Sequence, residues 1–271
     1  MRQSLAVIDK LARLPPFHPA VLKLLEISIE NESAESDYKE AFKSDPALTA
    51  DLLRMANSAA YGQRTQIQTI GRAVRLLGLE AVRSLATTIA LRSKFQRAGS
   101  SEYLLTVWAH SIATAVAAEA LGGLFGSPGL YTLGLTHDLG RLGLFLSVGE
   151  EYATELSQEF ADIGEANERE KARFGLTHCQ AGELIAREWG FPDNLTACMA
   201  NHHNPDSEQP CVRDRLICVA CRMAGSLGFQ EVPLRQPPPF PKLPDGSPNQ
   251  STLEPEALWD EITRRIATLG L

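Results

Sequence analysis

Apolar residues in this chain recur at helical spacing. Ile70, Val74 and Leu77, then Leu79, Val82, Leu85 and Ile89, follow the i, i+3, i+4 pattern of a helix with one buried face. Ala, Leu, Glu and Arg dominate, while Val, Ile, Tyr and Thr rarely alternate with polar residues as they would along a half-buried strand. An all-α fold is expected. With 271 residues and 44% apolar composition, the chain is long enough for two modest helical units with ordinary cores.

The helix breaks can be placed. Leu14 to Pro19, LPPFHP, is a stiff extended lead-in. A helix from Ala20 to Ile29 buries Val21, Leu24 and Leu25. The next helix has Asp45 as N-cap and Pro46 at its first position, and Asn57 to Gly62 can end it. Two runs then meet near Gly78. RAGSS, Arg97 to Ser101, is the best internal boundary. Beyond it come a long helix, Tyr103 to Leu121, a turn at Ser127 to Gly129, and the run Leu130 to Leu146. A charged helical stretch follows, Glu150 to Phe174, then helices over His178 to Trp189, Asp193 to His203 and Arg213 to Leu227. A Pro-rich stretch after Gly228 can form neither a regular helix nor a central strand, and Leu253 to Leu269 reads as a terminal helix lying back on the surface. The expected division is 1–97, 98–228 and 229–271.

No long apolar stretch opens the chain, so no secretory signal is expected. The most apolar window, Thr106 to Gly126, carries His110 and Glu119 and reads as a buried helix rather than a membrane span. Five cysteines without an export signal suit reduced thiols in the cytoplasm. The formal net charge of -7 argues against general nucleic-acid binding. From Gly62 to Arg97, however, Glu80 is the only acid among Arg64, Arg72, Arg75, Arg83, Arg92, Lys94 and Arg97. Such a cluster is either the solvated face of core helices or a surface for an acidic partner.

The chemistry concentrates in THDLGRLGLF, Thr136 to Phe145, where His137 and Asp138 interrupt an apolar run. His18 lies in the extended lead-in. The other five histidines, His110, His137, His178, His202 and His203, fall on or beside predicted helices in the second half. One histidine on an apolar face is ordinarily a satisfied core residue; five with an aspartate suit a divalent ion held between helices. The adjacent pair carries the strongest signal and His178 the weakest. Because neighbouring side chains on a helix point about 100° apart, His137 and Asp138 can share an ion only at one corner of their helix. Cys218 and Cys221 form a CxxC one helical turn apart with no second CxxC, which reads as buried structural thiols, and Cys179 reads as core rather than nucleophile.

The set H at 110, HD at 137–138, H at 178 and HH at 202–203 resembles the HD superfamily of metal-dependent phosphohydrolases. LPPFHPAVLKLLE, SDPALTADLLRMANSAAYG, IGRAVRLLGLEAVRSLA and HCQAGELIAREWGFP resemble its HDOD branch, from about Leu14 to Gly228. The resemblance implies an HD-like helical bundle preceded by an amino-terminal helical subdomain. It also implies a bacterial signal-transduction module that acts through a protein partner, with no catalytic residues. His110, His137, Asp138, His178, His202 and His203 would be its residual site for Fe, Zn, Mn or Mg, and Arg72, Arg75 and Arg83 a docking surface. The alternative is a metal-dependent phosphohydrolase acting on a nucleotide or cyclic dinucleotide. Three departures weigh against hydrolysis. Cys221 stands where HD hydrolases bring a final aspartate, Arg141 stands where HD-GYP phosphodiesterases have a lysine, and Asn204 follows the HH pair with no GYP beyond it. A thiolate in place of a carboxylate favours Zn²⁺ or Fe²⁺ over Mg²⁺, and arginine changes the shape of the cation.

Overall fold

A computed structural model describes residues 2–58, 65–204, 211–243 and 253–269. The described residues are helical and connecting segments, with no strand beyond a single parallel bridge between Phe160 and Leu234.

Local sequence explains most helix ends. Helix α1, Arg2–Ala12, and α2, Pro19–Glu26, flank the extended lead-in; α3, Ala34–Lys43, follows. Helix α4, Pro46–Ala56, starts as the sequence suggests: the Asp45 carboxylate accepts the Leu48 N–H at 2.8 Å. Asn57 ends it by donating to the carbonyls of Leu53 and Ile67 and accepting the Ile67 N–H. Residues 59–62 and Arg64, also part of the sequence reading, lie outside the described residues. Helix α5, Ile70–Leu77, and α6, Leu79–Ala98, meet at Gly78, whose φ of 88° lies in the left-handed region that favours glycine.

Helix α7, Glu102–Phe125, is the core helix of the second half. By length and composition it could cross a bilayer, but 72% of its apolar window is buried within this fold. It packs against α8, Leu130–Thr136, α14, Val212–Ser226, and α15, Pro255–Leu269. Trp108 donates its indole N–H to the Leu269 carbonyl at 3.2 Å, which fastens the terminal helix. Helix α9, Leu139–Val148, packs on α12, His178–Trp189, and α12 packs on α13, Asp193–Asn201. Helix α1 lies chiefly against α9 and α12.

Two readings change. Leu130 to Leu146 is not one helix: it breaks at His137 and Asp138 into α8 and α9, and the Asp138 backbone leaves helical geometry at φ -99°, ψ 19°. The pair therefore sits in a junction between helices, where both side chains turn inward. Glu150 to Phe174 also splits, into α10, Glu150–Leu156, and α11, Ile163–Phe174. Asp162 caps α11 by accepting the Glu165 N–H at 2.9 Å. The segment before it pairs with the Pro-rich region: Phe160 N–H donates to the Pro233 carbonyl and Arg235 N–H to the Phe160 carbonyl. This pins residues 229–235 beside the histidines; residues 244–252 of that region lie outside the described residues.

Candidate metal centre

His110 projects from the middle of α7, His137 and Asp138 from the α8–α9 junction, His178 from the first position of α12, and His202 from the end of α13. All five are buried. The start of α12 is fixed by a capping box, Thr177 accepting from Gln180 N–H while the Gln180 side chain accepts from Thr177 N–H. Gly140 in α9 lets the α12 backbone approach so closely that an added Cβ would lie 1.8 Å from the His178 carbonyl oxygen. This contact brings His178 to Asp138.

Four imidazoles are oriented alike. The Nδ1 atoms of His110, His137 and His202 lie 2.6, 2.6 and 3.0 Å from the carbonyls of Phe229, Gly134 and Met199. His178 Nδ1 is 2.8 Å from the Glu170 carboxylate. A carbonyl only accepts, so Nδ1 carries the hydrogen in those rings and Nε2 presents a lone pair. Yet the Nε2 atoms face one another, at 3.2 Å for His110 and His137 and 3.3 Å for His178 and His202. Facing lone pairs at that distance need a proton or a metal ion between them. Asp138 stands between the pairs. Its Oδ1 is 3.3 Å from His178 Nε2 and 3.2 Å from His202 Nε2, yet it is buried and accepts no aligned hydrogen bond. These three atoms form a nearly equilateral triangle. Donors on one ion, bound at about 2.0–2.2 Å, sit about 3 Å apart, so the triangle fits adjacent ligands.

The charge inventory agrees. Asp138, Glu170 and Glu231 are buried carboxylates, and Arg141 is the buried guanidinium among them. Arg141 donates to Asp138 Oδ2 and to Glu170 Oε1, both at 3.1 Å. Tyr152 also donates to Glu170, at 2.6 Å. Burial disfavours the Asp138 charge, but Arg141 first and then His178 hold its carboxyl well below the ordinary range. Burial likewise works against charge on His137 and keeps its imidazole neutral well below the usual pKa, as a ligand must be. His178 behaves differently. Burial and Arg141 oppose its charge, but Cys179, Glu170 and Asp138 outweigh them and raise its pKa to about 9. Without an ion, the His178–His202 pair therefore carries a proton that an ion would displace.

The remaining sequence candidates fall nearby or elsewhere. His203 is largely buried, its Nε2 4.0 Å from Glu231 but without a hydrogen-bond partner, and its ring packs on His202 and His178. Cys221 lies 3.6 Å from His110 Nε2, and Cys218 donates to the His202 carbonyl. The CxxC is thus part of the cluster's wall. Cys179 is buried 3.5 Å from His178 Nε2. Arg72 and Arg75 are exposed, 3.1 Å from Thr65 and 3.5 Å from Glu35 respectively, whereas Arg83 pairs with Glu80 and donates to the Ile27 carbonyl. Residues 205–210, PDSEQP, lie outside the described residues.

Sequence reasoning missed Glu170 and Glu231. Glu170 had a signal: Ala166, Glu170 and Phe174 form one buried i, i+4, i+8 stripe of α11, and a carboxylate in an apolar stripe needs a partner. Glu231 had none, since it lies in an irregular segment held by distant contacts. A cavity of about 740 Å³ opens beside His202, His203, Cys221 and Glu231, with Arg222 also on its wall and Pro237 to Pro239 along one side.

The HDOD domain profile matches residues 14–205; the sequence resemblance drawn above ran on to Gly228. An HDOD domain protein of unknown function from Geobacter sulfurreducens superposes with a TM-score of 0.68 at 22% identity, over 98% of this chain and 89% of that one. A protein provisionally named a phosphohydrolase, from Shewanella amazonensis SB2B, gives 0.65 at 23% identity, over 98% and 95%. One provisionally named a signal transduction protein, from Marinobacter aquaeolei VT8, gives 0.68 at 21%, over 99% and 63%. These likenesses show the fold. A curated relative from Treponema pallidum (strain Nichols), described only as an uncharacterized protein, is 27% identical over 217 residues, 76% of this chain. The chain spans 40% of that relative's length.

Proposed function

The chain belongs to the HDOD family, and from that premise we propose that it is a metal-binding signal-transduction module that acts by docking a protein partner and does not hydrolyse phosphate esters. The observation that carries this reading is the burial of the Asp138 centre, whose donors meet the neighbouring cavity only at His202 and His203. His110, His137, Asp138, Arg141, His178 and His202 are each 2% exposed or less. Metal-assisted hydrolysis needs substrate oxygens on the ion and a water in line with the leaving group. Here the Asp138 oxygen on the His110 and His137 side is taken by Arg141, and Cys221 replaces the carboxylate expected on α14.

An ion held by Asp138, His178 and His202, with His110, His137 and His203 around it, would supply cross-linking. It would tie α7, the α8–α9 junction, α12 and α13 to one point and neutralise the buried negative charge. Imidazole-rich coordination favours Zn²⁺, Fe²⁺ or Mn²⁺ over Mg²⁺. The docking surface we propose is the exposed basic face of α5 at Arg72 and Arg75, for an acidic partner in the cytoplasm. Arg83 contributes indirectly, by fastening α6 to the end of α2.

A second reading, hydrolysis of a nucleotide or cyclic dinucleotide, is favoured by the cavity beside His203 and by the name given to the Shewanella protein. One assay separates them. The purified chain, loaded in turn with Mn²⁺, Fe²⁺ and Zn²⁺, is offered bis(p-nitrophenyl) phosphate, a nucleotide panel and a cyclic dinucleotide. The expected rate is that of the metal-only blank. Turnover above the blank that disappears in His137→Ala would overturn the non-catalytic reading.

A further inference from the structure

Glu231 is a buried carboxylate whose ion-pair partners among the described residues are two imidazoles, His110 Nδ1 at 3.5 Å and His203 Nε2 at 4.0 Å. His110 Nδ1 is already engaged with the Phe229 carbonyl, and His203 Nε2 is buried without a hydrogen-bond partner. No lysine or arginine among the described residues pairs with Glu231. A cation beside such a carboxylate would give it the opposite charge that no described lysine or arginine supplies. Cys221 completes the corner: one donor atom each from His203, Cys221 and Glu231 lies within 4.8 Å of the other two.

We infer that Glu231 supplies the carboxylate that Cys221 displaces, and that His203, Cys221 and Glu231 hold a second, thiophilic divalent ion at the edge of the cavity. The inference rests on the metal-binding reading of the neighbouring centre at Asp138. Imidazole, thiolate and carboxylate together select Zn²⁺ or Fe²⁺ rather than Mg²⁺. Three protein donors leave a coordination position over, and the donors line the 740 Å³ cavity. The backbone is built to present Glu231. Phe229 N–H donates to the Ala224 carbonyl at 3.0 Å, and the Phe160–Leu234 bridge holds the other side of the loop. Residue 231 is therefore anchored to α14 on one side and to the segment before α11 on the other.

The test is a Co²⁺ titration of the metal-free full chain, followed by near-ultraviolet absorption, where sulfur-to-cobalt charge transfer appears. Two Co²⁺ per chain are expected, one of which raises the sulfur band. Cys221→Ser abolishes the band and leaves one Co²⁺ bound. Glu231→Gln weakens the sulfur-bound ion by at least about tenfold. X-ray absorption of the zinc-loaded wild type, which should show one sulfur neighbour per two zinc ions, needs no variant. One Co²⁺ without a sulfur band would overturn this inference and leave the Asp138 centre standing; no bound Co²⁺ at all would overturn both. A band lost in Cys179→Ser but kept in Cys221→Ser would overturn it, as would a band lost in His137→Ala and unmoved by Glu231→Gln, which places the ion on His110 and His137.

Discussion

Arg141→Ala is expected to destabilise the folded chain by about 3–5 kcal/mol. The guanidinium is fully buried and bonds Asp138 through Nε and Glu170 through Nη1. Burial works against its charge, yet the two carboxylates hold it protonated. Alanine would leave both carboxylates facing the interior without it and open a void the size of the side chain. Arg141→Lys should lose less than alanine but more than a surface exchange, because an ammonium cannot bridge two carboxylates in the fixed fork geometry. The sign of the acid response follows. Burial tends to raise the Asp138 and Glu170 pKa values, but Arg141 and the histidines depress both. Their contribution is present above the unfolded value of about 4 and is lost as pH falls through the lower folded values. In Arg141→Ala the folded values rise, so acid unfolding moves to higher pH. Urea unfolding of the metal-free protein at neutral pH and along an acid series measures both effects. A change under about 1 kcal/mol would show that the ion pair is dispensable.

Gly140→Ala is expected to be nearly as damaging and to act on the centre from outside it. The new Cβ would lie 1.8 Å from the His178 carbonyl oxygen and 2.6 Å from the Gly182 nitrogen, both backbone atoms without a rotamer to change. Helices α9 and α12 must separate, and His178 moves away from Asp138 with them. Overpacking ordinarily costs about 1–3 kcal/mol, and a backbone clash belongs at or above the top of that range. Gly143→Ala, one turn later in the same helix, is the control. Its Cβ meets Ile185 Cδ1 at 2.0 Å, the end of a side chain that can turn aside. Thermal unfolding should rank Gly140→Ala well below Gly143→Ala, and zinc affinity should fall markedly only in the former. Equal losses would mean that the close approach does not position His178.

The contrast between Asp45 and Glu231 shows what the sequence could and could not disclose. Features written in a few adjacent residues were legible. Asp45-Pro46 begins α4, Gly78 divides α5 from α6, and α12 runs from His178 to Trp189 as its flanking residues suggest. The histidines and Asp138 could be picked out because each interrupts an apolar pattern. Their roles depend on distance, so His178, the weakest signal along the chain, belongs to the tightest triangle of donors. Glu170 was hidden by the charged composition of its helix, although its position in the apolar stripe betrays it. The break at Asp138 left no glycine or proline to mark it, and the break before α11 depends on pairing with residues 233–235. Glu231 is brought in by that pairing, which no local pattern encodes.

Metal content decides most directly whether these residues form a centre. The measurement is elemental analysis of the full chain, purified without chelator from metal-replete growth, beside Asp138→Ala prepared the same way. Asp138 is the residue that faces both histidine pairs, so the account predicts a stoichiometric transition metal in the wild type and at least one equivalent fewer in the variant. A wild-type chain that is metal-free, and that neither takes up Zn²⁺, Fe²⁺ or Mn²⁺ nor gains thermal stability from them, would contradict it. The facing imidazoles would then be held by shared protons alone.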